Sequence, residues 1–536
     1  MNRKTALLIC ALLGAPAAAM AADTGHAPCS TTEQCHQEAA KAGVMGGIRV
    51  GAGLATSPTD RDQDQFYWLN QINRASAVML TEQKIITPEM GRKIAKGVQY
   101  VIDQAAKPGG KRPKDVLKIE NIIAEDIGPD ASLVHTGRSR QDMYATFRMA
   151  KLRTELLDYS DALDGLRRRI LATAAKNVET YIPAYTNGVQ AMPITYAHYL
   201  LAYEASFDRD AQRIHELYKR LNRSAMGTAV LANSSWPLNR KRMADLLGFD
   251  GIIENSMDSS QVSPSDISLE ATSMVASTAI RLGAMVGDIT SQYHQTRPWM
   301  LLNEGATYTS SAMPQKRNPG ILMRTREAAS NVVGLAQTVV FRAHNVTTGM
   351  TDYKDPWAQI GFFPQAMQMI KDMDVVMDAL TVNPKRSLEE LEDDWTTSME
   401  LAETLQREDK IPFRVGHHFA SAIVTYARDN GYKPKDFPYA KAVELYAQAI
   451  QNFKLPDSTK LPMSEAEFRQ TLSPVYMVNT RVGIGGPQPP EVRRMLGEAQ
   501  ATLKADEDWM SQTRKRLADA HARLDQAFAK LRDSGS

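Results

Sequence analysis

The sequence predicts an all-α protein, and three observations support that prediction. Ala, Leu, Met, Glu, Lys and Arg are abundant, whereas aromatic residues make up only 7% of the 536 residues. Such a composition favours helices over a β-sandwich. Long stretches repeat apolar residues at intervals of three and four, as helices with one buried face do. The chain is also longer than one hydrophobic core usually supports, so two or three domains are expected.

Three long helices should form the centre of this fold. The first contains one apolar seam and should continue to about Thr180. The second should open after Pro264, and the third should run from about Ile321 to His344. The first seam, spaced by four and three, comprises Leu152, Leu156, Tyr159, Leu163, Leu166 and Ile170. Because such helices exceed the usual globular length, we expect them to bundle, and to do so between subunits.

The N-terminus has the layout of a cleaved secretory signal. Arg3 and Lys4 precede the apolar run 6–13, and a stretch of small residues follows it up to Ala21. Residues 1–21 are therefore predicted to be a signal peptide, which places the mature chain in the periplasm or outside the cell. No later stretch reaches the roughly 20 apolar residues that a membrane helix needs, so no membrane insertion is expected after cleavage.

The following tail, residues 22–60, contains Cys29 and Cys35, while Cys10 would be removed with the signal. In an oxidising compartment the two remaining cysteines are expected to pair in a short disulfide loop worth about 2 kcal/mol. Two cysteines without a nearby pair of histidines do not predict a metal site. The formal charge of +2 gives no basic field for nucleic acid, so no nucleic-acid partner is expected.

One polar loop, Ser310–Pro319, gathers groups suited to holding a carboxylate beside a base. It contains Ser310, Ser311, Lys316 and Asn318, with prolines that limit the backbone on either side. The loop resembles the signature loop of the fumarase/aspartase superfamily and is most similar to that of the argininosuccinate lyase branch. The resemblance implies a three-domain, all-α fold whose central long helices pair between subunits of a homotetramer, with each active site completed by three chains.

The domain boundaries that follow from this resemblance can be stated as ranges. The mature chain is expected to comprise an N-terminal helical domain 61–145, a central bundle 146–405, a C-terminal helical domain 406–500 and a charged, helical surface tail 501–536.

The resemblance also assigns roles within the loop. Ser310 matches the residue that takes the Cβ proton of a succinyl substrate, and Lys316 and Asn318 match residues that stabilise the charge developing on the adjacent carboxylate. Ser311 and Met313 are expected to contact substrate. Serine becomes a base only where a cation and backbone N–H groups stabilise its alkoxide in a closed site. This chemistry requires neither metal nor organic cofactor, so none is expected.

A second segment, His135–Asp142, is similar to another signature of the branch and predicts substrate binding by Ser139, Arg140 and Gln141. A helix should begin near Gln141, with Thr136 or Ser139 as its cap, so that its backbone N–H groups could face a carboxylate. The alternative is that the arginines here are only solvated or salt-bridged. A third segment, Pro183–Gly188, predicts a catalytic role for Thr186 and substrate binding by Asn187.

The departures from the family pattern concern the amine end of the substrate. Asn187 stands where the branch has His, Met323 stands where it has the Glu that pairs with that His, and Gln141 replaces Asn. The segment Asp352–Trp357 aligns with the part that holds the arginine portion of argininosuccinate, yet its Tyr, Gln and Lys positions are occupied by Asp352, Trp357 and Ile360. We therefore expect a different amine.

Three functions remain open from the sequence. The favoured one is an exported carbon–nitrogen lyase that eliminates fumarate from an N-substituted aspartate, or adds an amine to fumarate. The second is a non-catalytic carboxylate-binding or structural protein, because the His/Glu dyad is altered. The third is a lyase or cycloisomerase with another leaving group. In each case the partner is a small carboxylate, and the assembly is a homotetramer.

Overall fold

Helices dominate the computed structural model, which describes residues 63–454 and 459–534. The predicted signal peptide and the proposed Cys29–Cys35 disulfide lie outside the described residues. The all-α prediction is confirmed. Two compact units are present: the shorter contains residues 304–320, and the larger contains the remaining described residues. Within the described part of the chain, the helices are too short or too polar to qualify as membrane spans.

From residue 63 to residue 292 the described chain forms seven α-helices and four short strands. In chain order these are α1 (Gln65–Glu82), α2 (Pro88–Ala106), α3 (Val116–Ile127), α4 (Arg140–Ala175), β1 (Tyr181–Thr186), β2 (Val189–Thr195), α5 (Tyr196–Leu221), β3 (Arg223–Ser224), α6 (Arg240–Leu246), β4 (Gly251–Ile252) and α7 (Ser263–Gln292).

The C-terminal half is built in the same way. It contains β5 (Met300–Leu302), β6 (Tyr308–Thr309), β7 (Arg317–Asn318), α8 (Gly320–Ala343), α9 (Pro356–Gln359), α10 (Phe362–Ala379), β8 (Leu380–Val382), α11 (Pro384–Glu392), α12 (Ser398–Asp409), α13 (Phe413–Asn430), α14 (Tyr439–Asn452), α15 (Glu465–Thr471), α16 (Pro474–Asn479) and α17 (Pro489–Asp533).

The strands form four two-stranded ladders, which the sequence analysis did not anticipate. β1 pairs with β2, β5 with β8, and β6 with β7 in antiparallel fashion, while β3 and β4 are parallel. Asn187 and Gly188 join β1 to β2 with φ angles of 51° and 77°. Two consecutive positive φ values define the tight hairpin turn that Asn-Gly favours.

Helix α4, with 36 residues, is the long central helix that the apolar seam predicted. All six seam residues, from Leu152 to Ile170, are at most 2% exposed. The predicted end at Thr180 is wrong, because α4 ends at Ala175. The chain turns there, where the side chain of Asn177 donates to the carbonyl of Thr173 and accepts from the hydroxyl of Thr180. Local side-chain bonds of this kind compete with a helix.

The other two long helices are also present. α8 matches its predicted span closely, whereas α7 begins at Ser263, before Pro264 rather than after it. A single π-helical turn, Asp258–Val262, leads directly into α7. Proline fits this position because the first turn of a helix does not use its N–H groups internally.

The sequence suggested that the C-terminal tail forms a charged surface helix, but helix α17 also has a buried side. It has 45 residues, and one side of it buries Leu503, Met510, Leu524 and Phe528. It packs against α2, α4 and α5. Helices α12 to α15 form a separate apolar cluster that includes Phe419, Phe437 and Phe468.

A buried ionic cluster connects three of these helices. The fully buried guanidinium of Arg167 on α4 binds Glu204 on α5 at 3.0 Å and Asp506 on α17 at 2.7 Å. Asp164, one turn earlier on α4, lies 3.1 Å from the same group. One cation faces several carboxylates here. Burial, opposed by Arg167 and reinforced by Asp506, raises the pKa of Asp164 to about 7.

The Asp164 carboxyl should make the protein less stable as the pH rises from about 4 to about 7. Its pKa in the folded state lies above the unfolded value, so the folded protein binds more protons in this window and loses stability as the proton leaves. Asp164→Asn keeps the neutral form, so it should flatten this slope and raise the free energy of unfolding at pH 7.5 by about 1 to 2 kcal/mol.

Urea unfolding at several pH values and one protein concentration measures both effects. Asp519→Asn is the control, because it removes the same charge at a half-exposed position on α17, 13 residues beyond Asp506. An Asp164→Asn slope equal to that of the wild type would contradict the assigned pKa.

Candidate active site

The predicted signature loop is closed by the short β6–β7 ladder. Tyr308 pairs with Asn318, and Thr309 with Arg317, so residues 310–316 form a loop between paired ends. The N–H of Ser310 donates to the carbonyl of Lys316 at 3.3 Å, which adds one further bond across the base of the loop. This arrangement brings three sequence-predicted residues, Ser310, Lys316 and Asn318, to one end of a small hairpin.

The Ser310 hydroxyl is the acceptor of two backbone hydrogen bonds. The N–H groups of Ala312 and Met313 donate to its Oγ at 3.3 and 3.1 Å. Donors already aimed at this oxygen stabilise negative charge on it without further rearrangement. They would also lower the cost of removing its proton, since hydrogen bonds to a charged form favour that form.

The remaining loop residues differ in their surroundings. The Asn318 side-chain amide donates to the carbonyl of Tyr308 at 3.3 Å, which holds it at the base of the loop. The side chains of Ser311, Met313 and Lys316 are exposed in this single chain. The predicted roles of these residues in binding and catalysis remain predictions.

The second predicted segment forms the start of α4, and Ser139 is its cap. The Ser139 Oγ accepts from the N–H of Gln141 at 3.2 Å, and the Asp142 carboxylate accepts from the N–H of Ser139 at 2.9 Å. The alternative cap, Thr136, instead donates its hydroxyl to the carbonyl of Leu133. These reciprocal bonds form a capping box, which fixes where the helix begins.

Asp142 is a residue that the sequence analysis missed. Its side chain is fully buried, and its second oxygen accepts N–H groups from Gly227, Thr228 and Ala229 at 3.0 to 3.1 Å. Burial raises its pKa to about 6, although these bonds and Arg138 oppose the shift. The sequence does contain a cue for Asp142, since an acidic residue three positions after Ser139 is typical of a capping box. Asp142 thus ties the predicted site to the loop 225–231.

The two arginines of this segment are engaged within the chain. Arg138 is buried and donates to Ser76 at 2.9 Å and Asn73 at 2.7 Å, which agrees with the structural alternative for this residue. Arg140 is half exposed and lies 3.2 Å from Asp115. Exposed pairs of this kind contribute little to stability, so Arg140 remains available to a ligand at low cost.

Gln141, like His135 and Arg138 in the same segment, has a buried side-chain atom without a hydrogen-bond partner among the described residues. Its Oε1 is buried, and no hydrogen bond to it is formed within the described residues. A buried acceptor without a donor costs about 1 to 3 kcal/mol, so a ligand that donates to it would bind favourably. This agrees with the prediction that Gln141 contacts substrate.

Thr186 and Asn187 lie at the tip of the β1–β2 hairpin, far from Ser139 and Gln141 in the same chain. The 36 residues of α4 span ~54 Å at 1.5 Å per residue. The 11 residues from Ala175 to Thr186 could return at most ~38 Å even if they were fully extended. The two predicted parts of the site therefore cannot meet within one chain.

The segment aligned with the amine end is held by a buried glutamine. Lys354 is 2% exposed and donates to Gln261 Oε1 at 3.1 Å, while the Tyr353 hydroxyl donates to the Gln261 carbonyl at 2.6 Å. Burial, and then Arg148, lower the pKa of Lys354. Asp355, the next residue, lies 3.3 Å from the Nε of Arg148 on α4.

Comparison with known proteins places this chain among lyases. The family described as "Lyase" matches residues 95–334, and the family described as "Argininosuccinate lyase C-terminal" matches residues 395–479. Argininosuccinate lyase of Geobacillus thermodenitrificans is 31% identical over 444 residues, which cover 80% of this chain and 91% of the relative. The argininosuccinate lyase of Methanosarcina acetivorans is 29% identical, and the alignment covers 86% of this chain and 90% of that relative.

Solved structures show the same relationship. A variant of EDDS lyase with bound fumarate is 28% identical to this chain and aligns with a TM-score of 0.79. The alignment covers 88% of this chain and 92% of the EDDS lyase chain. Fumarate lyase from Mesorhizobium sp. BNC1, at 16% identity and a TM-score of 0.62, shares the fold.

The helical fold, the signature loop and the capped start of α4 define a lyase of the fumarase/aspartase superfamily. Within it, the chain belongs to the argininosuccinate lyase family. It is an enzyme, a carbon–nitrogen lyase, so the resemblance seen in the sequence is confirmed and a purely structural role is set aside.

Proposed function

We propose that this enzyme eliminates fumarate from an N-substituted aspartate, or adds an amine to fumarate in reverse. The Ser310 alkoxide takes a proton from Cβ and becomes a hydroxyl. The C–H electron pair forms the Cα–Cβ double bond, and the Cα–N bond of the protonated amine breaks so that the neutral amine leaves with the bonding pair. Negative charge develops on the carboxylate next to Cβ, and we assign its stabilisation to Lys316 and Asn318. The observation that carries this assignment is the pair of N–H groups directed at the Ser310 Oγ.

Removing the Ser310 hydroxyl should abolish turnover while leaving substrate affinity within a few fold. A single hydroxyl contributes only about 1 kcal/mol to binding, whereas the base is indispensable to proton removal. Lys316→Ala should raise the transition-state barrier by roughly 2 to 4 kcal/mol, the cost of losing one preorganised charge.

Fumarate absorbance measures turnover, and calorimetric titration of Ser310→Ala with the substrate measures affinity. Ser132→Ala, an exposed hydroxyl in the turn before α4, is the control and should behave as wild type. Full activity in Ser310→Ala would refute the mechanism. If adducts of aspartate are inert and a substrate with another leaving group reacts, the alternative lyase or cycloisomerase reading takes its place.

We further propose that the enzyme is a homotetramer whose active sites combine residues from several chains. The estimated length of α4 supports this, because it separates Gln141 from Thr186. Large apolar side chains on the long helices α7 and α8 are also exposed in one chain, including Ile280, Met323 and Phe341. A C–N lyase with so much apolar surface on its central helices would bury it by association.

Hybrid tetramers can test whether sites are shared. Gln141→Ala and Thr186→Ala should each be nearly inactive alone. When the two variants are dissociated, mixed and reassembled, about a quarter of the sites would receive an intact Gln141 from one chain and an intact Thr186 from another. Activity should therefore return to about a quarter of the wild-type value. Fumarate release and light scattering are the measurements.

The matched control mixes Ser310→Ala with Lys316→Ala. Both residues belong to one loop, so no site can draw an intact pair from two chains, and activity should not return. Restoration in this control, or none with the first pair, contradicts the shared site, as does a fully active monomer.

We also propose export, to the periplasm or beyond. Support comes from the order of basic, apolar and small residues up to Ala21. A different amine agrees with this, because an exported enzyme has little use in arginine synthesis.

The full chain expressed in a host with a periplasm should be recovered there with Ala22 as its first residue. A peptide that joins Cys29 to Cys35 should be found before reduction and lost after it. Peptide mass spectrometry of the fractionated cells measures both, and a cytoplasmic protein that retains residues 1–21 would contradict the proposal.

A further inference from the structure

The β1–β2 hairpin carries Thr186 at its tip, yet the hairpin alone does little to fix where that tip lies. An isolated pair of strands is only marginally stable in water, and Gly188 in the turn has wide backbone freedom. We propose that Glu390 on α11 is a positioning residue, which holds Thr186 in the catalytic site through Gln190 on β2. The inference rests on the function proposed above.

The register of the hairpin places Gln190 directly behind the tip. Thr186 pairs with Val189, and the next pair is Tyr185 with Gln190. Successive side chains of a strand point to opposite faces, so these two pairs present their side chains on opposite faces of the hairpin. An anchor on Gln190 can therefore hold the tip without covering Thr186, which is exposed in this chain.

A β-bulge lies beside this anchor point. β1 advances from Ala184 to Tyr185 while β2 passes over Ala191, which is left without a partner. A bulge bends its strand and changes the direction of neighbouring side chains, and bulges recur next to active sites. The ladder by itself therefore leaves the direction of Gln190 to a contact from outside the hairpin.

That contact comes from α11. The Gln190 side-chain amide donates to Glu390 Oε1 at 2.6 Å, and Arg386, one turn earlier on α11, pairs with the other oxygen of the same carboxylate. Arg386 is fixed in turn, because its Nε donates to the carbonyl of Arg297 at 2.9 Å. A carboxylate accepts hydrogen bonds and cannot donate them, so Gln190 must turn its NH₂ group toward Glu390.

α11 also binds the other strand, at the base of the hairpin. The fully buried Ser387 donates its hydroxyl to the carbonyl of Tyr181 at 2.7 Å. Ser387 and Glu390 are three residues apart and thus lie on one face of the helix. Closer to the tip, the indole N–H of Trp299 reaches the Tyr185 hydroxyl only at 3.5 Å. The bond from Glu390 is the shorter of the two at this end and thus the better anchor.

Exchanging the donor and the acceptor tests this bond. Gln190→Glu keeps the shape of the side chain but sets two carboxylates against each other, so the tip should lose its position. Fumarate release should show a kcat at least about tenfold lower, because small misplacements of reacting groups are costly, with KM within about threefold. Adding Glu390→Gln re-forms the bond in the opposite direction and should return kcat to within about threefold of the wild type.

Gln99→Glu is the control for this exchange. Gln99 also donates to a carboxylate, that of Asp103 at 2.8 Å, but it lies on α2, outside the hairpin and α11. Its kcat and KM should match the wild type. A wild-type kcat in Gln190→Glu, or no recovery in the double variant, would overturn the inference. If Gln190→Glu does not fold, Gln190→Ala removes the bond without adding charge and should show the same loss.

Hybrid tetramers separate the positioning of Thr186 from a general structural effect. Gln190→Glu mixed with Gln141→Ala should regain about a quarter of the wild-type activity, whereas Gln190→Glu mixed with Thr186→Ala should regain none, because both changes affect one hairpin. A generally damaged chain would restore neither mixture. Recovery with Thr186→Ala overturns the assignment, as does failure with Gln141→Ala when the Thr186→Ala and Gln141→Ala reference mixture recovers.

The remaining outcomes distinguish this inference from the proposals above. If the reference mixture also fails, the shared site is contradicted, and the exchange of donor and acceptor still decides the role of Glu390. If the wild type releases no fumarate from any N-substituted aspartate, the proposed function and this inference are overturned together.

Discussion

The length of helix α4 is the constraint on which the rest of this enzyme depends. Its apolar seam is buried within the larger unit, where α5, α10 and α17 pack against it. The Ser139 end carries the capped segment, and the opposite end leads into the hairpin with Thr186. A rigid rod of this length cannot fold back, so it separates groups that one reaction would need together. The association of chains proposed above would bring these groups together, and the exposed apolar residues on the long helices would provide the surface for it.

The start of α4 is held in place by the carboxylate of Asp142 rather than by Arg138 and Arg140. Asp142 accepts four backbone N–H groups, one from Ser139 and three from the loop after β3. These bonds lock the helix start and the loop together, while Arg138 is used in packing against α1. Gln141 is left with a buried, unpaired oxygen at the edge of this locked structure. Rigid support beneath an unsatisfied acceptor is an arrangement that suits a binding site.

The departures from the family pattern now have a physical setting. Asn187 occupies a positive-φ position of a two-residue turn, which asparagine tolerates far better than most residues. Tyr353 and Lys354 of the segment Asp352–Trp357 donate hydrogen bonds to Gln261, and Asp355 and Trp357 line a cavity beside α4. These departures lie in segments that the resemblance assigns to the amine end of the substrate, whereas Ser310, Lys316 and Asn318 match the family residues. Under the function proposed above, this division would preserve the chemistry at the succinyl end and change the amine that leaves.

The sequence by itself determined the helical class, the three long central helices, a cap at Thr136 or Ser139 and the family, because helix periodicity, capping and a contiguous loop motif are local properties. It misjudged the end of α4 and the start of α7, where side-chain bonds and a π-helical turn override periodicity. Only the tertiary structure showed that Asp142 binds the loop 225–231, that Arg167 joins α4 to α5 and α17, and that Arg148 and Asp355 meet beside a cavity. These groups are distant in the sequence, and no local pattern records which buried charges will become neighbours.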